Sequence, residues 1–149
     1  MKTRAAILRA VKTPWSVEEV ELDAPREDEV LVRVLAAGLC HSDDHAVQGD
    51  VPANWPYIGG HEGAGIVEAV GSNVTRVGPG DHVTFSFLPE CGVCAACLAG
   101  RREGCIKQIE EGTGLQLQDQ TARHHDAANG EDLFLFCSCL LYTSDAADE

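Results

Sequence analysis

Gly59-Gly60-His61-Glu62-Gly63-Ala64-Gly65-Ile66-Val67-Glu68-Ala69-Val70 joins a glycine-rich turn to a short run of small and branched apolar residues. The glycines free the backbone to reverse direction, and the apolar run that follows predicts a β-strand closed by the turn Gly71-Ser72-Asn73-Val74. Working outward, Ala5 to Val11, Ser16 to Leu22 and Val30 to Leu35 are similar stretches rich in Val, Ile and Leu. They are punctuated by Thr13-Pro14 and by the charged turn Ala24-Pro25-Arg26-Glu27-Asp28-Glu29, and Gly78-Pro79-Gly80-Asp81 opens a further strand over His82 to Phe87. Only Ser42 to Gln48 and Cys94 to Arg101 read as short helices. Many short strands at such intervals predict a mainly β (α+β) domain built around a β-barrel. From Ile109 onward the chain reads as a long polar loop, with Leu133 to Cys137 starting another strand.

With 149 residues and 15.9 kDa the chain has the length of one domain and can bury a real core. It is 44% hydrophobic, yet no apolar run approaches a membrane span. Met1 to Leu8 lacks a long apolar segment and a small-residue cleavage site, which predicts a cytoplasmic address. Eleven Lys and Arg against 24 Asp and Glu give a formal net charge of −13. That charge repels phosphate backbones and anionic lipid, so neither nucleic acid nor membrane is expected as a partner. Seven cysteines are an odd number and cannot all pair within one chain; in a reducing compartment they read first as metal ligands or reactive thiols.

Cys91, Cys94, Cys97 and Cys105 form a Cys-x2-Cys-x2-Cys-x7-Cys cluster with Gly92, Gly100 and Gly104 among them. Four thiolates so spaced can surround one zinc tetrahedrally, leaving no position open for substrate, so the cluster reads as structural. Two disulfides, or a rubredoxin-like iron or iron–sulfur centre, are the alternatives. A second, dispersed set is Cys40-His41-Ser42-Asp43-Asp44-His45 together with His61-Glu62. Alone, Cys40 reads as a small buried hydrophobe and His61 as a satisfied loop histidine. Together they supply two metal donors with acidic neighbours, one ligand short of a catalytic zinc site.

Gly60-His61-Glu62-x-x-Gly65 followed by Gly71 and Val74, Cys40-x-Ser42-Asp43-x-His45 upstream, and the four-cysteine lobe downstream resemble zinc-containing alcohol dehydrogenases of the medium-chain superfamily in order and spacing. The likeness covers roughly residues 1 to 108, and the Cys-His-Ser-Asp-Asp-His form resembles the actinobacterial and nicotinoprotein-type branches. The resemblance implies a GroES-like β-barrel with a projecting zinc lobe at about residues 89–108. It implies Cys40 and His61 as two ligands of a catalytic zinc, Glu62 as a carboxylate able to approach the metal, and Asp43 as the group orienting the histidine. It further implies Ser42 as acceptor of the alcohol proton, His45 as the end of the relay to solvent, His41 beside the cofactor pyrophosphate, and Phe87 in the substrate pocket. Asp44, Glu68 and His82 read as solvated or structural groups.

The activity implied is interconversion of small alcohols with aldehydes or ketones by hydride transfer to or from NAD or NADP, in a homo-oligomeric parent. A formaldehyde or polyol dehydrogenase of the same superfamily is the alternative within the enzymes, and a non-catalytic zinc-binding GroES-like interaction module the alternative outside them. The family's third catalytic ligand, a late cysteine, has no match in this sequence, and Cys137 carries no matching motif. No Gly-x-Gly-x-x-Gly occurs, so the Rossmann domain is expected to be missing and the fragment alone inactive. The last eleven residues, Cys139 to Glu149, resemble the in-frame translation of a transposon-type sequencing-library adapter at every position. The expected division is therefore a partial catalytic domain over 1–138 and a non-native tail over 139–149.

Overall fold

The computed structural model describes residues 1–88, 90–107, 114–116, 119–135 and, for the backbone alone, 139–142. Among the described residues nine strands carry the fold: β1 (Lys2–Leu8), β2 (Ser16–Leu22), β3 (Val30–Ala37), β4 (Tyr57–Ile58), β5 (Gly63–Val70), β6 (His82–Ser86), β7 (His124–Asp126), β8 (Asp132–Leu135) and β9 (Cys139–Tyr142). Two helices, α1 (His41–Gln48) and α2 (Ala95–Leu98), and a 3-10 turn at Arg102–Gly104 complete it. Strands β1-β2-β7-β8-β4 close into a barrel, and β3-β5-β6-β9 form a four-stranded sheet. Among the described residues no helix is long and apolar enough to cross a membrane.

The bounds of β2 coincide with the sequence reading. β1 lies three residues earlier than Ala5 to Val11, because Thr13 turns back on Ala10 through both its amide (3.3 Å) and its hydroxyl (2.7 Å), ending the strand at Leu8. β3 gains Ala36 and Ala37, which pair with Ala64 and Gly63 on β5. The polar stretch read as a loop contains a strand: β7 pairs with β2 through Val20↔Asp126 and Leu22↔His124, and with β8 through His124↔Leu133. Its residues carry no apolar signal, and side-chain contacts reinforce the ladder. His125 Nδ1 lies 2.9 Å from Asp132 and its Nε2 3.4 Å from Asp23.

Alternation on β1 and β2 turns Ile7 and Val20 into the barrel, where they meet Ile58 and Leu133. Each fully buried side chain of this size stabilises the fold by about 1.5–3 kcal/mol. A second cluster, Leu8, Ala46 and Tyr57 with Trp55 and Val51 packed on it, seats α1 against the barrel. Barrel and sheet are joined by a buried ionic clasp. Arg123, 4% exposed, grips Glu29 before β3 with Nε at 3.0 Å and Nη2 at 2.6 Å, and also bonds Asp119 at 2.5 Å.

The sheet has β3 as an outer strand, with Val34 and Leu35 51% and 59% exposed. On its other side β9 pairs with β6 through Val83↔Tyr142 and Ser86↔Cys139. Those four residues belong to the stretch read as an adapter translation; a bare strand edge offers backbone partners to any short apolar segment.

Candidate metal centre

Helix α1 begins at Cys40, whose extended backbone (φ −106°, ψ 150°) makes it the N-cap. Three residues on, the buried Asp43 carboxylate turns back: Oδ2 accepts from the Cys40 amide at 3.3 Å and Oδ1 from the Gly60 amide at 3.1 Å. Gly60 holds φ +99°, a conformation open to glycine, and this aims the next residue inward. His61 is consequently buried, with Nδ1 3.7 Å from the same Asp43 Oδ1 and its ring edge-on to Phe87 at 4.9 Å between centroids. Asp43 thus ties the helix start and the glycine-rich turn into one unit.

The result is a convergence of three donors: the Cys40 thiol, a His61 ring nitrogen and a Glu62 carboxylate oxygen all lie within 4.8 Å of one another. Ser42 Oγ stands 3.5 Å from Cys40 Sγ. These residues line a cleft of about 700 Å³, walled by Ala36 and Ala37 of β3, Thr84 and Phe85 of β6, and Phe87. A soft thiolate, a borderline imidazole and a hard carboxylate form a donor set suited to zinc.

His41 and His45 do not line this cleft. They lie one helical turn apart on the solvent side of α1, rings 4.9 Å apart at 81°. His45 Nδ1 is 3.1 Å from Asp50, a partner placed by the turn after Gly49. Asp44 is exposed beside Gln48, and Glu68 pairs with Arg33 at 3.0 Å on the surface.

The four lobe cysteines converge as well, their sulfurs within 4.8 Å of one another. Cys91, Cys94, Cys97 and Cys105 are all free thiols, and the 3.5 Å between the sulfurs of Cys94 and Cys97 is no disulfide. A tetrahedron of thiolates on one zinc sets sulfurs about 3.8 Å apart, so the cluster fits that ion. Backbone amides of Cys97 and Ile106 hold the Cys94 thiol down at about 6, while burial, followed by the hydrogen bond with Cys94, pushes Cys97 up to about 12. Helix α2 is shorter than the Cys94 to Arg101 reading because Cys94 serves as its N-cap and Ala99 ends it, with Gly100 turning the chain away at φ +74°. Glu90, beside the first cysteine, clamps the lobe base: Arg102 lies 2.9 Å and Arg76 3.8 Å from it.

Several contributors gave no sequence signal. The Gly60 amide, the Thr84 and Phe85 wall and the Glu90 clamp depend on neighbours distant in the chain. Asp50 had a weak signal, an acid just past the glycine that ends α1.

Residues 26–130 match the family model of the alcohol dehydrogenase GroES-like domain. The chain is 54% identical over 105 residues to an NDMA-dependent alcohol dehydrogenase of Amycolatopsis methanolica, a match covering 70% of this chain and 28% of that protein. Among solved structures, an alcohol dehydrogenase zinc-binding domain protein from Burkholderia ambifaria superposes with a TM-score of 0.83 at 42% identity, covering 91% of this chain and 36% of that one. A cobalt- and zinc-bound thermostable alcohol dehydrogenase from Pyrobaculum aerophilum superposes with a TM-score of 0.61 at 38% identity over 71% of this chain and 32% of that one. The chain therefore spans little more than a quarter of the length of the curated relatives it matches. The fold, the two clusters of metal donors and this match along most of the sequence agree: the chain belongs to the alcohol dehydrogenase GroES-like domain family.

Proposed function

We propose that this chain is the zinc-binding, catalytic-domain part of a cytoplasmic alcohol dehydrogenase that interconverts small alcohols with aldehydes or ketones, with NAD or NADP as hydride partner. The observation that carries this reading is the convergence of Cys40, His61 and Glu62 at the wall of the cleft. Zinc held there supplies Lewis acidity, which lowers the pKa of an alcohol and polarises a carbonyl. Cys40 and His61 are the ligands, and Glu62 is a carboxylate within reach of the same point. Asp43, shared between the Cys40 amide, the Gly60 amide and His61, fixes the orientation of the imidazole. Ser42 takes the alcohol proton, which His45, steadied by Asp50, releases to solvent. His41 meets the cofactor pyrophosphate, and Phe87 forms an apolar wall for the substrate.

The four-cysteine lobe holds a second, structural zinc. The nicotinamide cofactor belongs to parts of the relatives' length that this chain does not span, so the 149 residues alone are inactive. Residues 1–138 form the native part and 139–149 an adapter translation; a genomic frame continuing past Phe136 into different residues, with a late cysteine and a glycine-rich dinucleotide motif, supports both statements. A genuine stop there would favour a non-catalytic module. The direct test is His61→Ala in the full-length parent, which should abolish turnover while the lobe keeps its zinc. Undiminished turnover would remove His61 from the ligand set.

A further inference from the structure

We propose that His41 and His45 form a separate site for a divalent late transition metal on the solvent face of α1. The two residues are four apart on a helix, the spacing that stacks side chains on one face. Their ring centroids are 4.9 Å apart. Two imidazoles bound to one ion at about 2.1 Å, with ligand angles of roughly 90–110°, keep their centroids about 4.6–5.3 Å apart. The pair thus already holds a chelating separation.

A second observation concerns the proton. His45 Nδ1 lies 3.1 Å from the Asp50 carboxylate, so that nitrogen carries the hydrogen and Nε2 presents its lone pair outward. A carboxylate on the far nitrogen is the arrangement that fixes the tautomer of histidines that bind metals and strengthens them as donors. His41 is exposed and His45 is 45% exposed, so an ion can enter with its remaining positions filled by water. Exposed Asp44 stands one turn from His41, and the net charge of −13 favours cations generally. Two imidazoles suit nickel, copper or zinc over calcium or magnesium.

This site shares no ligand with Cys40, His61 and Glu62. Resting on the proposed function, occupancy would withdraw the proton-relay histidine and the cofactor-facing histidine together, making the ion an inhibitor of the parent enzyme. Binding itself does not depend on that reading.

The test is calorimetric titration of the zinc-loaded 149-residue chain with Ni²⁺, combined with paramagnetic broadening of histidine ring resonances. One further equivalent should bind, broadening His41 and His45 first. His41→Gln and His45→Gln should each weaken it by roughly tenfold or more, and Asp50→Asn by severalfold. His82→Gln, on β6, should leave Ni²⁺ binding unchanged. Retained affinity in both His41→Gln and His45→Gln, or broadening centred on another histidine in the unaltered chain, would overturn the proposal. Ni²⁺ binding to the chain and turnover of the parent are separate readouts, so this outcome is distinguishable from failure of the catalytic reading.

Discussion

At the residue scale, Asp43 has the widest consequences. One carboxylate accepts from the amide of Cys40 and from that of Gly60, seventeen positions further along the sequence than Asp43 itself, and faces His61. Asp43→Ala removes the shared acceptor of the half-buried Cys40 amide and the more exposed Gly60 amide, which water can partly replace, and should destabilise the fold by about 1–2 kcal/mol in urea unfolding. Asp43→Asn, which retains one acceptor oxygen, should recover part of that loss. The acid beside Cys40 was visible in the sequence; its bond to Gly60 was not, because it joins two turns that only the fold brings together. His124 makes a second case. Burial, then the neighbouring His125, pushes its pKa down to about 4, and its Nδ1 has no hydrogen-bond partner. An unfolded histidine binds its proton near pH 6.5, so the stability carried by neutral His124 is complete above that pH. It drains away as pH falls toward 4, by about 3 kcal/mol in all. Urea midpoints at pH 7 and pH 4.5 should differ by less in His124→Gln than in the parent chain.

At the element scale, strands with branched apolar residues were legible, and β2 was bounded to the residue. β4, only two residues long, and β7, built from His124, His125 and Asp126, were not. Two residues are too few for any period, and β7 is held by a backbone ladder and by polar contacts of His125 instead of by side chains that avoid water. The lobe was the most legible part of the site, since four cysteines within fifteen residues carry their ligand geometry in their spacing. Cys94→Ser should remove the lobe metal and raise hydrogen exchange across residues 91–105, while amides of the barrel strands stay protected. Spread of the effect into β1 and β2 would show that lobe and barrel unfold as one unit.

At the scale of the whole molecule, the barrel and the sheet meet through Arg123, whose partners lie up to 94 residues away in sequence. Arg123→Ala takes the two-pronged partner from Glu29, while Asp119 keeps Arg26, and should cost about 2–3 kcal/mol, read from the urea midpoint. Such long-range charge pairing leaves no periodic trace, which explains why the barrel itself was expected but its attachment to the sheet was not. The outer strand of that sheet carries a different consequence. Among the described residues no strand pairs with the outer side of β3, where Val34 and Leu35 are exposed next to Arg33, which is drawn to Glu68 on β5. Such an edge is a template: one molecule can extend its sheet with the β3 of another. The 149-residue chain should therefore sediment as larger species as its concentration rises, and Leu35→Lys should hold it monomeric over the same range. Self-association of the chain would then be governed by one strand margin, against the repulsion of its net negative charge.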